Sequence, residues 1–197
     1  MEDLKTMIQR LCPEGVEYKP LKAVCDINRG VRVVRSELQN NGTIPVYQNS
    51  LTPLGYYGES NYPAGTVFVI SAGAAADIGF SDIPFWAADD CLGFHCFEGI
   101  SSRYVYYCLM SAKGKLKSKV RKASIPRLSR ESVEQLEIPV PPLEVQSKIV
   151  EILDNFSELT AELTAELTAE LTARQKQYEY YRDNLLNFNK LTGGGSR

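Results

Sequence analysis

Thr160-Ala161-Glu162-Leu163, Thr164-Ala165-Glu166-Leu167 and Thr168-Ala169-Glu170-Leu171 stand head to tail, led in by Glu158-Leu159 and trailing into Thr172-Ala173. Every residue type in the repeat except Thr is a good helix former, and neither Gly nor Pro occurs from Leu143 to Leu191. One continuous helix is therefore predicted, opening just after Pro141-Pro142. Each copy of the repeat adds ~6 Å of rise and about 40° of rotation, because four residues overshoot a 3.6-residue turn. The number of copies thus sets a length and a phase.

Working outward from the repeat, Ile149, Leu153, Phe156, Leu159, Leu163, Leu167, Leu171, Tyr178 and Leu185 recur at helical spacing, with Val145, Ile152 and Tyr181 beside them. Such a stripe is expected to be buried against another helix. A helix from about residue 143 to 187 would be roughly 65 Å long, well beyond the usual globular length. The sequence offers no second long helix, so the partner is expected to be another subunit. The competing reading is a solvated, Glu-rich helix whose repeat carries no role.

The chain has 197 residues, 44% of them hydrophobic, enough for one good core. Three segments are expected: a globular domain over 1–141, a spacer and dimerisation helix over 142–190, and a linker- or tag-like tail over 191–197. No apolar run long enough to span a membrane is present, and Met1-Glu2-Asp3-Leu4 lacks the form of a secretory signal, so a cytoplasmic location is expected. Five irregularly spaced cysteines suit reduced thiols better than a disulfide framework.

Within 1–141 the texture is short strands and turns. Val31 to Val34, Ile44 to Gln48, Thr66 to Ile70 and Leu92 to Phe97 read as strands, and Leu136 to Val140 as another. Leu4, Ile8 and Leu11 suggest an opening helix, Ser102 to Ala112 a second, and Ser129-Arg130-Glu131-Ser132 the cap of a single helical turn. The fold class is α+β, an irregular sheet with short helices followed by one long helix that pairs as a coiled coil.

Charge is informative by position. The net of −2 argues against indiscriminate coating of nucleic acid, yet Lys113, Lys115, Lys117, Lys119, Arg121 and Lys122 fall within ten residues. Alternation from Lys115 to Arg121 would place four cations on one side of a strand, able to follow a phosphate backbone. Arg29, Arg32 and Arg35 form a thinner set, while Tyr47, Gln48, Asn49 and the turn Ser71-Ala72-Gly73-Ala74 supply groups suited to base edges. A charge run of this kind also arises simply as a solvated surface, and tyrosine-rich turns as ordinary packing.

Enzyme chemistry is hard to assemble. The one histidine, His95, sits in an apolar strand between Phe94 and Cys96, where a packed imidazole is the ordinary reading. Cys91, Cys96 and Cys108 lack the spacing that marks zinc sites, Asp89-Asp90 alone is weak evidence for magnesium, and no Gly-rich phosphate loop appears. No catalytic residue and no metal site is assigned.

The segment Ala123-Ser124-Ile125-Pro126-Arg127-Leu128-Ser129, with Ile138-Pro139-Val140-Pro141-Pro142-Leu143-Glu144-Val145-Gln146 and Ile149 to Asp154, resembles the end of a target recognition domain and the start of the spacer helix in specificity subunits of type I restriction-modification enzymes. The Thr-Ala-Glu-Leu repeat followed by Gln175 to Leu186 is similar to the central spacer of the IC branch of that family. Ile44-Pro45-Val46-Tyr47-Gln48-Asn49-Ser50 and Asp89-Asp90 also have the look of such a recognition domain. Family members usually carry two recognition domains and two spacer helices, whereas this sequence has one of each and looks like half a subunit.

The resemblance implies a non-catalytic chain that binds double-stranded DNA and brings methyltransferase subunits, which use S-adenosylmethionine, and endonuclease or translocase subunits to its target. A homodimer with antiparallel helices would then read an interrupted palindrome. A coiled-coil DNA-binding regulator acting alone, a nuclease or a purely structural oligomerisation protein are the other classes left open by the residues.

Overall fold

The structure, a computed structural model, describes residues 3–39 and 41–187. The expected tail at 191–197 lies outside the described residues. In chain order the elements are α1 (Leu4–Leu11), β1 (Tyr18–Pro20), β2 (Cys25–Arg29), β3 (Ile44–Tyr47), β4 (Gly55–Tyr57), β5 (Thr66–Ile70), β6 (Ile78–Ser81), β7 (Trp86–Ala87), β8 (Cys91–Cys96), α2 (Ser102–Ser111), α3 (Lys113–Ser118), α4 (Arg130–Glu134), β9 (Glu137–Pro139) and α5 (Leu143–Leu185). The compact units divide between Val150 and Glu151.

The first unit is built on an antiparallel sheet in the order β2-β8-β5-β6. Strand β5, Thr66-Val67-Phe68-Val69-Ile70, is buried along its whole length, because both faces are covered. Val67 and Val69 join the main core with Val105 and Leu109 of α2, while Phe68 and Ile70 enter a second cluster with Tyr62, Phe85 and Cys91. Glycine makes this second cluster possible. A Cβ on Gly93 would lie 2.2 Å from the Tyr62 ring and one on Gly79 2.2 Å from the Phe68 ring, so each aromatic lies flat on a strand that has no side chain there. A three-stranded sheet β4-β3-β7 and the pair β1-β9 complete the unit.

Two local expectations fail. Val31 to Val34 is not a strand; the strand is Cys25–Arg29, whose Cys25 and Ile27 point into the core while Asp26 and Asn28 face outward. Gly30 breaks off the pairing where its backbone presses on Ala87, at a spacing that leaves no room for a Cβ. The basic segment is not a strand either. Lys113–Ser118 is helical because Leu116 drops fully into the core, and Ala112 and Val120, four residues to either side, pack against the same core. The 3.6-residue period of those three apolar positions overrides the alternation of the lysines.

Helix α5 begins inside the first unit. Val145 and Gln146 of its first turns are buried. The Gln146 side chain accepts a hydrogen bond from the Ser101 amide (2.9 Å) and donates to the carbonyls of Gly99 (3.0 Å) and Pro141 (2.9 Å). Ser101 in turn caps α2, accepting from the Tyr104 amide. From Phe156 onward the apolar side chains of α5 are exposed in the single chain. The threonines of the repeat turn inward on their own helix: Thr164, Thr168 and Thr172 each donate to the carbonyl four residues back, at 2.7–2.8 Å. Their hydroxyls are thereby satisfied and their methyl groups face out.

Candidate nucleic-acid interface

Three backbone segments meet at the edge of the first unit. The chain after β5 runs antiparallel to residues 126–128: the Leu128 amide donates to Ser71 (2.8 Å) and the Gly73 amide to Pro126 (3.1 Å). Arg121 and Arg127 exchange backbone hydrogen bonds at 2.8 and 3.2 Å, closing the intervening residues into a loop. On its other side the 71–76 turn takes a hydrogen bond to Asn49, whose carbonyl accepts from the Ala74 amide (2.9 Å). Gly73 allows that approach: its φ is +81°, and a Cβ there would sit 2.8 Å from the Asn49 carbonyl oxygen.

The result is a recess of about 330 Å³ lined by Arg29, Ser71, Lys119, Arg121, Arg127, Leu128 and Ser129. Arg29 comes from the end of β2, Lys119 and Arg121 from the chain leaving α3, and Arg127 from the far side of the loop. Arg127 stands 3.9 Å from Asp90, a long contact, and its side chain is more than half exposed. Four cations therefore ring one small concavity, an arrangement that attracts and orients a phosphate or another polyanionic group.

The other expected site residues lie apart from that recess. Lys113 is paired with Asp77 at 2.8 Å, and Lys115, Lys117 and Lys122 are exposed without lining it. Arg32 and Arg35 lie in the exposed chain after Gly30. Gln48 donates to Asp89 over 3.5 Å, and Asn49 is exposed beside the Gly73 turn. Tyr47 stacks on Phe68 with ring centroids 4.7 Å apart, and burial pushes its phenol up from its ordinary value. Ser71 is buried, its hydroxyl donating to the Asp90 carbonyl (2.9 Å), so it builds the wall of the recess. Arg127 was not singled out as a site residue from sequence, because it stands alone, five residues past the lysine cluster; its place in an exposed loop after Pro126 is the signal that could have found it.

His95 lies on the exposed face of β8, its ring stacked on Tyr62 at 4.9 Å. All five cysteines are free thiols. Cys25 and Cys96 face each other across β2 and β8, and the Cys25 thiol donates to the Cys96 sulfur at 3.0 Å. That hydrogen bond pushes Cys25 up and Cys96 down, with burial adding to the rise at Cys25. Among the described residues no group of three or more His, Cys, Asp or Glu is placed to hold a metal ion, and no helix is long and apolar enough to cross a membrane.

A mixed α+β unit with a cationic recess, continuing into a long helix, is the class that geometry defines. The family model described as type I restriction modification DNA specificity domain matches residues 13–173, and the chain belongs to that family. A putative type I restriction enzyme specificity subunit of Haemophilus influenzae, S.HindORF215P, is 37% identical over 97% of this chain and 51% of its own length. The putative type I specificity subunit S.MpnORF507P of Mycoplasma pneumoniae is 33% identical over 86% of this chain and 46% of its own. The chain spans about half the length of the curated relatives it matches. The crystal structure of a type I restriction-modification S subunit from M. genitalium agrees in fold, with a TM-score of 0.67 at 16% identity over 76% of this chain and 41% of that one.

Proposed function

We propose that this chain is a DNA-reading specificity component of a type I restriction-modification system, that it recognises double-stranded DNA through the first unit, and that it does no chemistry itself. The observation that carries the reading is the gathering of Arg29, Lys119, Arg121 and Arg127 around one recess, within the region that the family model matches. Lys115, Lys117 and Lys122, exposed near it in sequence, extend the positive surface for phosphate contacts. Gln48, Asn49 and the Gly73 turn, held together by the Ala74–Asn49 hydrogen bond, supply polar groups for base edges.

Modification and cleavage belong to partners: methyltransferase subunits that carry S-adenosylmethionine, and endonuclease or translocase subunits. The exposed apolar stripe of α5 supports pairing of two copies, so that two identical recognition units meet inverted half-sites and the target is an interrupted palindrome. Selection from a random duplex library, with a type I methyltransferase subunit present, tests this. Enrichment of an interrupted palindrome is expected; a lone half-site rejects the dimer, and no enrichment rejects the DNA-reading role.

A further inference from the structure

Cys25 and Cys96 stand opposite each other in the register of β2 and β8. Hydrogen bonds on either side fix which kind of pair they form. The Phe97 amide donates to the Val24 carbonyl and the Gly30 amide to the Cys91 carbonyl, both at 2.9 Å. Alternate positions of an antiparallel ladder exchange hydrogen bonds, so Val24 and Gly30 mark the even-numbered positions as the bonded ones and Cys25 falls on a non-bonded one. There the Cα atoms approach to about 4.5 Å, within the roughly 4.4–6.8 Å that a disulfide spans. Elsewhere Cys91 faces Ile70 across β5, Cys12 follows α1 and Cys108 lies within α2.

The two sulfurs are already in contact. They lie 3.0 Å apart, about 1 Å beyond the length of a covalent S–S bond, so joining them asks for a small side-chain adjustment and no movement of the strands. Their settings differ. Cys25 is 1% exposed in the main core, while Cys96 is only half-buried at the end of β8, where a molecule the size of water can reach it. The Cys25 thiol donates to the Cys96 sulfur, which favours a thiolate there; burial opposes this, and the Ser102 hydroxyl, which itself accepts from the Val67 amide, favours it again. The more accessible sulfur is thus also the better nucleophile, and the buried one stands directly behind it.

We propose that Cys25 and Cys96 are a redox-active pair, an oxidation site at which a hydroperoxide converts two thiols to an intrachain disulfide. The inference is independent of the DNA-reading role. With hydrogen peroxide, the Cys96 thiolate attacks one oxygen, the O–O bond breaks, and hydroxide leaves to be protonated to water; Cys96 is then a sulfenic acid. The Cys25 sulfur attacks the Cys96 sulfur, the S–O bond breaks, and the oxygen departs with the thiol proton as a second water. Two thiols are oxidised and one peroxide is reduced to two waters. Because the resolving thiol already touches the sulfur it must attack, this second step outruns further oxidation of Cys96 to sulfinic acid. The bond ties β2 to β8 and closes a loop that holds β3 to β7. The oxidised chain therefore resists unfolding, while Arg29, four residues along β2 from Cys25, keeps its place at the recess.

The test treats the full chain, reduced and then freed of reductant, with hydrogen peroxide, blocks the remaining thiols with N-ethylmaleimide, and maps the peptides by mass spectrometry without reduction. The Cys25–Cys96 disulfide is expected to exceed every other pairing by about tenfold or more, because these two sulfurs are held in contact. Dithiothreitol is expected to restore both thiols, and in urea-unfolded protein the preference is expected to vanish. The oxidised chain is expected to unfold at a urea midpoint roughly 1–2 M above the reduced one. Cys25→Ala, with its fold checked by circular dichroism, is expected to leave Cys96 as a sulfenic acid that dimedone captures and that passes on to sulfinic acid. Three results in the unsubstituted chain overturn the proposal without recourse to any variant: Cys96 carried to sulfinic acid beside a free Cys25, another disulfide dominating the folded protein, or neither sulfur oxidised.

Discussion

Replacing Gln146 by Leu removes an amide from a fully buried position while keeping much of its volume. Three backbone groups lose their partner: the Ser101 amide and the carbonyls of Gly99 and Pro141. Gly99 is exposed, so its carbonyl turns to water at little cost; Ser101 is half-buried and Pro141 buried. One fully and one partly stranded group, at about 1–3 kcal/mol for a buried unsatisfied donor or acceptor, give a loss of about 2–4 kcal/mol. With a urea m-value of about 2 kcal/mol/M, the unfolding midpoint falls by roughly 1–2 M. Trp86, the only tryptophan, lies in β7 with its indole N–H donating to the Val31 carbonyl (2.8 Å), so its fluorescence follows the first unit. Protomer concentration is held constant, because any self-association adds a mass-action term. Gln146→Glu is expected to be worse, since a carboxylate would face two carbonyl oxygens. A midpoint within about 0.3 M of the unsubstituted protein for Gln146→Leu would refute the idea that this amide ties the start of α5 to the cap of α2.

Lys117→Ala is expected to weaken binding to all duplex sequences and to lower the slope of log K against log salt by about 1, because the exposed ammonium neutralises one phosphate; filter binding across a salt series checks it. Arg127→Lys keeps the charge but not the planar fork that can grip a phosphate with two hydrogen bonds, so it is expected to leave that slope unchanged and to weaken binding to all duplex sequences alike; an altered site preference at one base pair would refute the phosphate-holding role. Cys96, held below its ordinary value by the Cys25 hydrogen bond, carries more thiolate at a given pH than Cys108 or Cys91, both pushed up by burial. Iodoacetamide between pH 7 and 8 should therefore label Cys96 ahead of both, with the gap narrowing as pH rises, as read by peptide mass spectrometry.

The long helix was legible because the signals agreed over forty residues: Pro141-Pro142 before it, helix formers throughout, and no breaker. Strand β5 was legible because Thr66 to Ile70 is a β-branched and aromatic run buried on both faces. Strand β2 was missed because Asp26, Asn28 and Arg29 make it look polar; only Cys25 and Ile27 enter the core, a weaker pattern than the valines of 31–34. The site was half legible. Composition located the cations, but the Lys113–Ser118 helix and the Asp77 ion pair decide which of them are available, and both depend on tertiary packing. Arg29, Arg121 and Arg127 come together only through hydrogen bonds between segments as much as a hundred residues apart, which no local pattern records.

Insertion of one further Thr-Ala-Glu-Leu tests the repeat as a ruler. In the proposed antiparallel dimer, adding four residues to both helices lengthens both copies together, so the segments that flank the repeat keep their partners. The flanks move apart by ~6 Å and turn by about 40° relative to each other. On DNA, the translation corresponds to just under two base-pair steps of ~3.4 Å, and the rotation to about one step at 10–10.5 base pairs per turn. The two demands differ, so the gap of the interrupted site is expected to widen by one or two base pairs while both half-sites keep their sequence. Library selection with the unsubstituted and the lengthened chains reads both properties at once. An unchanged gap with unchanged half-sites would mean that the repeat does not set the separation, and altered half-sites would mean that α5 influences base reading by some route other than spacing.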